Sequence, residues 1–183
     1  QARNLVTQEL GLRTDLDISR TLERQIDVER WTDLDRRLNR TLERDGMIDM
    51  GVPTDGRPDD FHAQKMGRLR KLERLGLASE IGPGAWVMHD DAEARLREMG
   101  MRGDIIKRMH KALGERGIER EVSAFELEPD FAHHKVIGRM VDRGLHDELN
   151  GTAYAIIDGI DGRTHHVVLP DLDATGDARP GAI

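Results

Sequence analysis

The stretch from Phe61 to Met88 constrains the fold more than any other part of the chain. Phe61, Met66, Leu69, Leu72, Leu75 and Leu77 recur at helical spacing, and the run "ASEIGPGAWVM" that follows places two short apolar segments on either side of Gly-Pro-Gly. A helix with one apolar stripe, closed at Gly76, is predicted to lead directly into a β-hairpin. Asp59 or Asp60 is suited to cap the helix start. Gly82 and Gly84 allow positive φ while Pro83 fixes its own, which makes the turn tight.

The flanking segments extend this pattern. "RTDLDISRTLERQID" reads as a helix capped by Thr14 or Asp15, and "ERWTDLDRRLNRTLERDG" puts Trp31, Leu34, Leu38 and Leu42 on one stripe with Gly46 as its stop. "MIDM" is a short strand, and residues 51–60 are loop by their Gly, Pro and Asp content. Helix, strand, helix and hairpin in that order is the order of a winged helix-turn-helix. "DDAEARLREMGMRGDIIKRMHKALGERG" returns to helical spacing, interrupted at Gly103. Residues 1–116 therefore read as a helical, winged-helix-like domain. Residues 117–132 are acidic, contain a proline and hold no period, so a linker is expected there. Over residues 133–183 the period changes to that of strands: "KVIGRMVDRG", "TAYAIIDG" and "RTHHVVLP" are separated by turn residues, with Gly159 to Gly162 as a hairpin turn. The expected fold class is α+β, a helical winged-helix-like module followed by a small SH3-like β-barrel, complete or truncated.

Composition narrows the function. A net charge of −7 over 183 residues excludes a surface that wraps nucleic acid as a whole, since phosphate neutralisation needs a basic surface, and any DNA contact must be a local patch. The chain has no cysteine, hence no disulfide framework, no thiolate metal site and no cysteine nucleophile, which suits a reducing cytoplasm. No apolar run approaches the ~18 residues that span a bilayer, and the start lacks the layout of a signal peptide, so a soluble protein without membrane insertion is expected. A start other than Met and an end at "ARPGAI" point to a piece of a longer chain.

Local charge runs opposite to global charge in one place. Lys65, Arg68, Arg70, Lys71 and Arg74 stand against Glu73 alone within ten residues of the predicted helix. With the Leu and Met stripe packed inward, Arg68 and Lys71, and with them Lys65 and Arg74, are expected to project outward and contact phosphate or guanine. The alternative is a solvated helix face, and the wing "SEIGPGAWV" favours it by carrying Glu80 and no Lys or Arg. Winged-helix domains also serve as protein-interaction modules.

Three long phrases carry a resemblance: "GRLRKLERLGLASEIGPGAWVMHDDAEARLREMGMRGDIIKRMHKAL", "VIGRMVDRGLHDELNGTAYAIIDGIDGRTHHV" and "ERWTDLDRRLNR". Over roughly residues 5 to 169 the chain resembles the long C-terminal domain of unknown function that follows the nuclease domain in plasmid-mobilization relaxases of the IncP and Ti-plasmid type. The resemblance implies a bacterial, cytoplasmic protein of conjugative DNA processing. The full protein would nick at an origin of transfer, stay bound to the strand and leave through a type IV secretion channel. Its nuclease needs a tyrosine nucleophile and a metal-binding histidine cluster in a domain N-terminal to this region, and nothing here matches that motif, so no catalytic residue carries over. The expected function is that of a non-catalytic accessory region assisting DNA binding at the transfer origin. A module docking the relaxase to the secretion coupling protein or relaxosome partners is the other reading.

Other chemistry is weaker. The histidine pairs His133-His134 and His165-His166, with Asp142 or Asp158, offer metal ligands if a barrel brings His134 to face His166. Neighbours on a strand point to opposite faces, so each pair offers one ligand per side, and neither metal nor cofactor is expected. Asp158 and Asp161 lie in a segment too short for an EF-hand loop. Tyr154 is in a strand, and none of the three serines sits in a nucleophile elbow.

Overall fold

The computed structural model describes residues 14–51, 61–127, 135–176 and 180–181. The chain divides into two compact units, residues 1–100 and 101–183, and the division falls within a continuous helix at Gly100/Met101. Among the described residues the architecture is α+β, with four α-helices and two sheets. Among the described residues no helix is long and apolar enough to cross a membrane.

The first unit holds helix α1, described over residues 14–23, then α2 (Asp33–Asp45), β1 (Ile48–Asp49), α3 (His62–Arg74), β2 (Ala78–Gly82), β3 (Ala85–Met88) and the start of α4 (Ala92–Gly114). Helix α2 begins in a capping box, in which the Thr32 side chain accepts from the Asp35 N–H and the Asp35 carboxylate accepts from the Thr32 N–H. It ends at Gly46, left-handed at φ 73°, whose N–H returns to the Leu42 carbonyl. The Gly46 stop is the one expected from the sequence, whereas the Thr32 cap was not among the expectations. At the start of α3 the expected caps Asp59 and Asp60 lie outside the described residues, and the residue that precedes the helix is Phe61, in the left-handed region at φ 60° with no side-chain cap.

Strands β1, β3 and β2 form an antiparallel sheet in that order. Of the two wing glycines only Gly84 takes positive φ, at 74°, and a Cβ there would come within 2.9 Å of the Gly51 backbone, so the tight turn and the close approach both demand glycine. A bulge between Glu80 and Gly82 turns Ile81 outward, 60% exposed. Leu38, Ile48, Leu69, Leu72, Leu77, Trp86 and Leu96 fill the core between the helices and this sheet.

The second unit contains the rest of α4, then β4 (Phe125–Glu126), β5 (Gly138–Asp147), β6 (Thr152–Gly159) and β7 (Thr164–Leu169). The three long strands are those expected, joined by hairpins, with Gly162 at φ 79° in the predicted turn. Among the described residues the expected closure into a barrel is not found. The sheet is open, in the order β4-β7-β6-β5, because β4 adds parallel to β7 and leaves β4 and β5 as its outer strands. Met109, Ala112 and Leu113 of α4 pack with Phe125, Val141, Tyr154 and Ile156 in a core of their own. Ile118, Phe125 and Leu127, in the segment expected to link two domains, belong to that core, while residues 128–134 lie outside the described residues.

Candidate functional site

Helix α3 carries the five basic residues that the sequence marks as an outward face, and their positions differ sharply. Arg68 does not project outward: it is 0% exposed, on the inner face with Gln64, Leu69 and Leu72. Its guanidinium uses all five donors. Nε and Nη2 donate to the two carboxylate oxygens of Asp35 at 2.7 and 2.8 Å, Nη1 donates to the carbonyls of Ile26 and Val28, and Nη2 donates also to that of Arg30. Asp35 is equally buried and its Oδ2 also accepts from the Thr32 hydroxyl and N–H. One side-chain pair thus ties α3 to the capping box of α2 and to the connection between α1 and α2. The reason for the burial is positional: Arg68 lies four residues from both Gln64 and Leu72, inside the stripe that faces the core.

Arg70, Lys71 and Arg74 lie nearer solvent but meet carboxylates. Arg70 donates to Glu73 at 3.1 Å, pairs with Glu80 of the wing at 3.1 Å, and lies over the buried Trp86 ring at 4.6 Å. The hydrogen bond to Glu73 holds its pKa above the usual arginine value. Lys71 reaches Glu29 at 3.2 Å, and Arg74 lies 3.9 Å from Asp27. Lys65 is half-buried on the first turns of the helix. The patch that looked basic in one dimension is therefore electrically mixed in three, because Asp27, Glu29 and Glu80 come from other elements. Nothing in the helix sequence reveals those partners. The wing adds no cation: Glu80 accepts from the Gly84 N–H, and the apolar Ile81 is exposed to solvent.

A second polar group, which sequence reasoning missed as a set, lies in the second unit. Tyr154 on β6 donates to Asp142 on β5 at 2.9 Å. Its ring lies across Gly144, where a Cβ would come within 2.9 Å of it. The Arg108 guanidinium of α4 lies over the same ring at 4.5 Å, and the ring stacks on His166 of β7 with centroids 5.5 Å apart. His146 of β5 is tilted against His166 at 5.9 Å. Burial, and then Asp142, raises the Tyr154 phenol above its ordinary pKa, so this tyrosine is held protonated. Burial, and then electrostatic repulsion from His146 and Arg108, push His166 down to about 4. Both ring nitrogens of His166 are buried without a hydrogen-bond partner among the described residues.

His165 points elsewhere, as alternation requires, with Nε2 2.9 Å from Asp161. His133 and His134 lie outside the described residues. Among the described residues no three His, Asp or Glu side chains converge where a metal ion could sit.

The family described as a protein of unknown function, DUF3363, matches residues 65–183. The chain belongs to the DUF3363 family. No curated protein matches the chain, and no solved structure does. The DUF3363 match opens at Lys65, so it takes in Arg68 and the basic residues after it, the wing, and the whole Tyr154 group. Asp35 and the carbonyls of residues 26, 28 and 30, which hold Arg68, precede the matched span.

Proposed function

We propose that this chain is a non-catalytic accessory region of a conjugative relaxase, acting in the bacterial cytoplasm as a protein-docking module toward the type IV secretion coupling protein or relaxosome partners. The relaxase context rests on the resemblance of its three long phrases to the C-terminal region of those proteins. A winged-helix-like reading of the first unit is supported by the order α2, β1, α3 and hairpin and by the sheet order β1-β3-β2. Docking is preferred over DNA reading on one observation: Arg68 is buried, and Arg70, Lys71 and Arg74 each face a carboxylate. A phosphate backbone brought to this face would meet Asp27, Glu29, Glu73 and Glu80 along with the cations, which removes the counterion-release term that drives DNA association. The apolar Ile81 at the wing suits contact with protein.

The test is a titration of the chain against transfer-origin duplex, single strand and unrelated DNA at about 50 and 200 mM salt. Binding no tighter than roughly 10⁻⁴ M, alike for all three, is the expected result. Tight duplex binding that weakens steeply with salt and depends on Arg70 and Arg74 would restore the DNA reading and remove this one.

A further inference from the structure

A cleft of about 330 Å³ in the first unit is used by none of the contacts above. Trp31, Leu42 and Met88 line it together with the acidic residues Glu43, Asp90 and Glu93. Among the described residues no lysine or arginine lines it. Trp31 is half-buried and packs against the core while it also lines the cleft. Glu43 accepts from Asn39 and Glu93 from Arg97, each through one oxygen, while Asp90 has no partner among the described residues. His89, the remaining titratable group of the lining, is engaged by the Ser79 hydroxyl at 3.0 Å.

We propose that this cleft is the seat for an arginine side chain from a basic segment of a partner protein. The geometry is that of a cation receptor. An indole attracts a guanidinium through its quadrupole, apolar Leu42 and Met88 accept the methylene stem, and the acidic residues of the lining receive the N–H donors. The volume lies at the low end of ligand sites, which suits one side chain better than a folded surface. Charge agrees on the larger scale, since a chain of net charge −7 attracts basic segments. This inference rests on the docking reading and names the chemistry of the partner.

The experiment follows two-dimensional amide and indole NMR signals of the chain. The probe is an acetylated and amidated peptide of glycine and serine with a single central arginine, compared with the same peptide carrying citrulline, added to about 10 mM because one side chain binds in the millimolar range. The arginine peptide is expected to shift the Trp31 indole signal and the amides of residues 90–93 along a saturable curve, and the citrulline peptide to leave them in place. Asp90→Asn with Glu43→Gln, both exposed, should keep the remaining spectrum and weaken binding roughly tenfold. Equal responses to the two peptides, or a silent Trp31 indole, overturn the cleft. A duplex of mixed sequence added to the same sample separates the two readings. Shifts along α3 at low concentration overturn docking, whereas a silent duplex together with a silent arginine peptide overturns the cleft alone.

Discussion

The two units bury polar side chains in opposite ways. In the first, Arg68 and Asp35 are wholly enclosed, and the guanidinium has a partner for each of its five N–H groups. In the second, His166 is buried on β7 with neither ring nitrogen satisfied among the described residues, and its neighbours Arg108 and His146 oppose its protonation. A satisfied buried pair stores its cost in the alternatives: it is worth little against an apolar replacement and a great deal against the loss of one member. An unsatisfied neutral imidazole makes no such demand. It packs as a flat ring against Tyr154, and the cost of its unpaired nitrogens grows when a proton arrives.

The sharpest way to break this contrast is to remove half of the buried pair. Arg68→Ala leaves the Asp35 carboxylate and the carbonyls of Ile26, Val28 and Arg30 without their donor, and is expected to cost about 3–5 kcal/mol in urea unfolding of the first unit. Replacing both members, with Arg68→Met and Asp35→Leu, should cost markedly less despite the larger chemical change. A single mutant as stable as the parent would show that the pair carries no structural weight.

The second unit should instead answer to pH. His166 has a folded-state pKa of about 4 against an ordinary value near 6.5, so between those values the unfolded chain binds the proton that the folded chain refuses. Stability is complete above the unfolded value and falls as pH drops through the window from 6.5 to 4, by roughly 3 kcal/mol in all. Unfolding curves at stepped pH measure it. The groups facing His166 are Arg108, His146 and Tyr154, with Asp142 held by the Tyr154 hydroxyl, so a His166→Phe variant should flatten that window while keeping the ring stack. Were the slope to survive the substitution, another group would own it.

A smaller effect distinguishes bonding from packing in the same cluster. Tyr154→Phe keeps the ring under Arg108 and over Gly144 but takes the donor from Asp142, which is half-exposed and can turn to water. About 1 kcal/mol of stability should be lost, well short of the Arg68→Ala effect, and thermal unfolding at neutral pH reads it.

How much of this was legible depends on how local each feature is. The three long strands and helix α2 with its Gly46 stop follow from spacing and turn residues, which act over a few positions. Closure of a barrel does not, because it depends on which strand edges meet, and β4 is two residues in an acidic stretch that no alternation marks. The inner position of Arg68 left a trace that charge counting passed over: Arg68 lies beside Leu69 and one turn before Leu72, as Asp35 lies beside Leu34 and one turn before Leu38. Two opposite charges inside two apolar stripes are a buried pair waiting to be read. The carboxylates opposite Arg70, Lys71 and Arg74 left no such trace, since Asp27, Glu29 and Glu80 reach α3 only through the tertiary fold.

The smallest expected effect lies on the same helix as the largest, six residues from Arg68. Arg74 and Asp27 are both largely exposed and 3.9 Å apart, so water and salt screen their attraction and the ordering of two long side chains opposes what remains. Arg74→Ala should leave the urea midpoint where it was, at low and at high salt. Arg70 stands between the extremes, for its guanidinium also covers the face of the buried Trp86 ring. Arg70→Ala should therefore move the Trp86 emission to longer wavelength, read in a Trp31→Phe background, with little change in the midpoint. This order, Arg68 far above Arg70 and Arg70 above Arg74, separates a helix held by one enclosed charge from a helix held by its charged surface. An Arg74→Ala variant that unfolds as readily as Arg68→Ala would mean that the surface pairs hold α3 in place, and the contrast between the two units would then rest on His166 alone.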